Sequence, residues 1–117
     1  MAFQDFGSCW IPSLWPPIAT SSHLIDASGE MVEFVFPVPA TGNITGVSFM
    51  TATVTTGDTV KVSLQDVDVT TGNADGTPDQ SVTQVIGTTD DNVVFPVTFG
   101  AARAVTKGDL LACVIEF

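Results

Sequence analysis
Hydrophobic and polar positions alternate over most of this chain, and the alternation begins sharply. From Leu24 onward, "LIDASGEMVEFVFPVP" reads as a short strand, a turn at Ser28-Gly29, and a strand from Met31 to Phe36 that Pro37 and Pro39 end. Val32, Phe34 and Phe36 share one face of that strand, because successive side chains point to opposite sides. "TGNITGVSFMTATV" predicts a turn at Gly42-Asn43 and a strand marked by Ile44, Val47, Phe49 and Val54. Its apolar markers slip phase near Gly46, the signature of a β-bulge. In "TVKVSLQDVDV", Val60, Val62, Leu64 and Asp66 lie on one side, while Lys61, Ser63 and Gln65 lie on the other.

The second half continues in the same manner. "TTGNADGTPDQ" (70–80) reads as a long polar loop, because turn-forming residues dominate it. "SVTQVIG" is a strand, "TTDDN" a turn, and "VVFPVTF" a strand that Pro96 confines to an edge or a bulge. After "RAVTKGD", the closing "LLACVIEF" carries Leu111, Cys113, Ile115 and Phe117 on one face, and Leu110, Ala112 and Val114 on the other. Apolar residues on both faces predict a central strand or one covered by a partner. "TTGD" (55–58), "TTGN" (70–73) and "TKGD" (106–109) look like one turn used three times, with Gly supplying a positive φ. Six to eight strands separated by short turns predict an all-β, antiparallel β-sandwich over residues 24–117, jelly-roll-like in its connections.

Residues 1–23 carry neither period. "GSCWIPSLWPPIATSS" (7–22) holds both tryptophans, Trp10 and Trp15, among Pro12, Pro16 and Pro17. Proline runs form neither helices nor central strands, so this is an extended arm. Exposed indoles are costly, and the arm therefore needs a surface. Phe3, Phe6, Trp10 and Trp15, together with Phe117 at the apolar closing strand, are the candidate partner interface, since large aromatic side chains dominate interface energetics. Capping of the chain's own sandwich is the alternative resting place.

Composition agrees with the strand reading: Val and Thr together make 32 of 117 residues, and β-branching favours strands. One domain fits this length. The net charge of −10, with Lys61, Arg103 and Lys107 as the only basic residues, excludes a phosphate-binding stripe, so nucleic acid is not an expected partner. No apolar run is long enough to span a membrane, and no basic secretory start precedes residue 61. Cys9 and Cys113 fit neither a zinc site nor a dense disulfide scaffold; two free thiols are expected, with Cys113 buried, and a Cys9–Cys113 bridge is the alternative.

Candidate chemistry is sparse. His23 is the only histidine, and its neighbours Ser22 and Asp26 do not constitute a triad without convergence in space. Nucleophile elbow, phosphate loop and metalloprotease motifs do not occur, and Asp90, Asp91, Glu30 and Glu33 read as turn and sheet-face residues. No catalysis and no cofactor are expected. Asp66, Asp68, Asn73 and Asp75 offer oxygen donors of the kind calcium takes, but at spacings unlike the EF-hand loop; strand-end and turn roles are the preferred account, and no metal is expected. A sugar site would want aromatic faces on a rigid platform, yet the chain has no Tyr and most of its eight Phe fall on inward positions.

Residues 24–77, above all "ITGVSFMTATVTTGDTVKVSLQDVD" followed by "TTGNADGT", resemble the β-sandwich modules of tailed-bacteriophage virion proteins, and "VTKGDLLACVIEF" is similar to their closing strand. The resemblance implies a non-enzymatic virion protein: a capsid decoration (cement) subunit that forms homo-oligomers, a trimer being one form, and docks on other virion proteins. A glycan- or receptor-binding module of a phage fibre is the alternative it implies. It carries no catalytic residue.

Overall fold
The computed structural model describes residues 28–117. They form six antiparallel strands: β1 (Met31–Pro37), β2 (Gly42–Met50), β3 (Asp58–Val67), β4 (Ala74–Ile86), β5 (Val94–Val105) and β6 (Leu110–Glu116). β1, β6, β3 and β4 lie side by side in that order in one sheet; β2 and β5 pair in a second. Phe3, Phe6, Trp10, Trp15, Cys9, His23 and the short strand expected at Leu24 lie outside the described residues.

The four-stranded sheet is built around β6. It pairs with β1 on one side (Phe34 opposite Cys113) and with β3 on the other (Leu64 opposite Cys113). The apolar residues read on both of its faces therefore belong to a central strand, buried from Leu111 through Ile115. On the side facing the second sheet, Val60, Val62, Ile86, Cys113 and Ile115 cluster with Val97 of β5. Leu64 and Leu111 join Val38, Phe99 and Val105 in an adjoining cluster. Both draw on both sheets, and burial of these side chains is the main source of stability.

The second sheet shows where the pattern slipped. Register shifts between Ile44 and Gly46, opposite a stretch of β5 that carries extra residues between Thr98 and Arg103. Gly46 has a packing reason: a Cβ there would collide with the carbonyl oxygen of Val97. Phe49 and Phe95 stack across the strands with ring centroids 5.6 Å apart. Pro96 sits opposite Ser48 in this two-stranded sheet, where each strand has an open side and a missing N–H is tolerated.

Four expectations are corrected. The loop expected over 70–80 is half strand: after a turn through Gly72 (φ 80°), Ala74 pairs with Val67 and Pro78 with Gln65. Register irregularities absorb the extra residues, so hairpin pairing overrides the weak strand propensity of "ADGTPD". The strand expected to stop at Phe36 runs on through Pro37, paired with Leu110. The three similar turns are not equivalent. Gly72 and Gly108 have positive φ, whereas Gly57 does not and instead lies close to the backbone of Ile86. The turn expected at Gly42-Asn43 falls at Ala40-Thr41, and Gly42 already belongs to β2.

Candidate interaction surface
Asp66 Oδ1 accepts a 2.7 Å hydrogen bond from Arg103 Nη2, and Asp79 accepts from Nη1 of the same guanidinium. Arg103 belongs to β5, while Asp66 and Asp79 belong to β3 and β4, so this fork ties the two sheets together. Burial opposes the guanidinium's charge, but the hydrogen bond to Asp66 and the fields of Asp66, Asp79 and Asp109 outweigh it and hold the pKa above its ordinary value. Asp68 Oδ1 accepts from Thr70 N at 2.8 Å, and Asp75 Oδ1 from Thr77 N at 2.8 Å; Asn73 supplies its backbone carbonyl to Asp68 N. The four residues shape a turn and a sheet-to-sheet clasp. Among the described residues, no three His, Cys, Asp or Glu side chains come together as metal ligands.

Cys113 is buried on the central strand, and the apolar surroundings push its thiol pKa up to about 12. Thiolate, the reactive form, is thereby suppressed.

Phe117, the one member of the expected interface within the described residues, is half-buried against the Val60–Ile115 cluster. Its N–H donates to Glu30 O at 2.9 Å and its carbonyl accepts from Gly29 N at 3.0 Å. Gly29 adopts φ 91° to make that turn. The residue thus closes the home fold's rim, leaving part of its ring beside a small recess shared with Ser28, Asp58 and Thr59.

The outer face of the four-stranded sheet is partly covered by its own hairpin. Gly76 N donates to Gln65 Oε1 at 2.9 Å, and Ala74 N donates to Glu33 of β1. These bonds lay residues 73–78 against the sheet, and Ser63 and Gln65, expected on a polar outer side, are buried. A groove of about 490 Å³ remains between this stretch and Met31, Glu33, Lys61 and Glu116. Lys61 and Glu116 face each other there at 3.9 Å.

β1 differs from the rest of the molecule. Phe34, expected to face the core with Val32 and Phe36, is 53% exposed. The physical reason is the width of the opposing sheet: β5 packs against β4, at the far side of the four-stranded sheet, and Phe34 is left uncovered. On the other face of β1, Met31 and Val35 are exposed by 54% and 43%, and Leu110, opposite Pro37, by 50%. β1 therefore presents apolar side chains on both faces while standing at the edge of its sheet. Neither charge alternation nor turn chemistry in the sequence could locate this surface; the unbroken apolar run "FVF" was the available signal.

The backbone of β1 alternates in direction. Glu30 O and Val38 N bond toward β6 and its flanks. In an antiparallel ladder the even-numbered residues between them then turn their N–H and C=O the same way, and Met31, Glu33, Val35 and Pro37 turn theirs outward. Proline's missing N–H falls on this open side. Among the described residues no strand pairs there.

Comparison with protein-family models, with curated proteins and with solved structures finds no match to this chain.

Proposed function
We propose that this chain is a non-enzymatic structural subunit of a virion, a capsid decoration protein that forms homo-oligomers and docks its N-terminal arm on neighbouring subunits. The six strands constitute a jelly-roll-like sandwich in this reading. In its support, the chain passes from β1 to β2, back to the β3–β4 hairpin, across to β5 and back to β6, visiting the two sheets in turn. The resemblance of residues 24–77 to phage virion modules supplies the setting.

One observation carries the assembly reading: among the described residues an apolar sheet edge is left unpaired, in a chain whose two tryptophans lie in a proline-stiffened stretch, residues 7–22, without a charged side chain. Open apolar edges invite pairing and are normally blunted. Pre-stiffening lowers the entropy lost on docking, and each buried indole contributes about 2 kcal/mol or more at an interface. Repetition around a shell multiplies this through avidity.

Deletion of residues 1–22 tests the proposal. The shortened protein keeps its β circular dichroism spectrum and loses both self-association and particle binding. Retained association would contradict arm docking. Specific glycan-array hits by the isolated protein would replace this reading with that of a fibre receptor-binding module.

A further inference from the structure
We infer that the open side of β1 is the receptor for residues Cys9–Trp15 of a second copy, which add to the four-stranded sheet as a fifth strand. The inference rests on the arm exchange proposed above and names where the arm lands.

The sheet has two edges, and they are built differently. β4 carries two register irregularities and the clasp to Arg103, features that spoil an edge for pairing. β1 keeps a regular register along its whole length, with no lysine or arginine. Its only charged side chain, Glu33, is held over the sheet by Ala74 N. Exposed apolar groups stand on both faces, Phe34 on one and Met31 and Val35 on the other. An added strand must therefore be apolar on both of its own faces.

"CWIPSLW" (9–15) meets that demand. In an extended strand, Trp10 and Leu14 share one face, and Ile11 and Trp15 the other. The proline parity also fits. If Cys9, Ile11, Ser13 and Trp15 turn their backbone groups toward β1, then Pro12 and Pro16 fall on the solvent side, where no N–H is required. The finished edge would end in prolines and resist further addition. This is strand addition in the sense used by peptide-recognition domains.

Charge does not stand in the way of a second copy. Each chain carries −10, yet residues 7–22 contain no charged side chain. Bodies that repel one another are joined most easily where neither surface is charged, and residues 34–57, which include most of β1, contain no charged side chain either. Twelve residues between Trp15 and Ser28 reach roughly 40 Å when extended, enough to leave one body for the next.

Cys9 provides the test, because the buried Cys113 thiol does not compete. In the full chain, Met31→Cys and Val35→Cys introduce thiols at the two ends of the edge; both sites are exposed, so folding is unaffected. Under mild oxidation, one of them, according to strand direction, forms a bridge to Cys9 between two chains, seen as a non-reducing dimer and mapped by mass spectrometry. Val85→Cys on β4 stays unbridged. A bridge confined to one chain overturns the inference and arm exchange with it. No bridge at either site, or equal bridging at Val85→Cys, overturns the β1 assignment. If residues 1–22 are still required for association in that last case, arm exchange stands and the arm lands elsewhere.

Discussion
Single residues hold this fold in place by means that differ from site to site. Leu64 is fully buried between the sheets, and Leu64→Ala should lower stability by about 2–5 kcal/mol, through lost transfer energy and the cavity left behind. Urea unfolding at unchanged m-value would read it directly. Gly46→Ala acts through the backbone. A methyl against the Val97 carbonyl forces β2 and β5 apart, and a loss of about 1–3 kcal/mol is expected from the overpacking. Arg103→Met removes the guanidinium fork, but Asp66 is half exposed, so solvent screening limits the cost to about 1 kcal/mol, shrinking as salt rises. Cys113 links folding to alkaline pH. Its folded pKa of about 12 lies above the ordinary thiol value. The unfolded chain therefore loses that proton first, and stability is whole below about pH 9 and falls as pH climbs toward 12. Iodoacetamide should label the Cys113 peptide only when the protein is unfolded.

Among the elements, those that the sequence disclosed are the ones whose environment is local. β3 was legible because its alternation of Val60, Val62 and Leu64 with Lys61 and Ser63 matches a pleated strand with one face in the core. β6 was legible as central or partner-covered because apolar residues on both faces admit few other places, and its two neighbours β1 and β3 make it central. The outer half of β4 was not, since its pairing is imposed by β3 and not by the propensity of Asp75, Gly76 or Pro78. Phe34 was misplaced for a similar reason. A strand's pattern tells which side faces inward, but not how wide the opposing sheet is. The candidate surface emerged from that mismatch, and of the interface residues expected from sequence only Phe117 falls within the described part, where it closes the home rim. At this scale the account predicts that Phe34→Lys leaves the melting temperature within about 2–4 °C, as expected of an exposed site. It should abolish self-association, because a lysine on an edge strand blocks strand addition. Size-exclusion chromatography beside a melting curve checks both.

The whole molecule combines a strongly negative body with a leader whose one acidic side chain is Asp5, and among the described residues the sheet edge at β1 is unpaired. Assembly by exchange of that leader, as proposed, would need a dry surface for two indoles. The most direct measurement is the sedimentation mass of the intact chain beside that of residues 23–117 over a range of concentrations. The account predicts a defined oligomer for the first and a folded monomer for the second. An intact chain that stays monomeric at every concentration, with blue-shifted tryptophan emission showing both rings already buried at home, would contradict it.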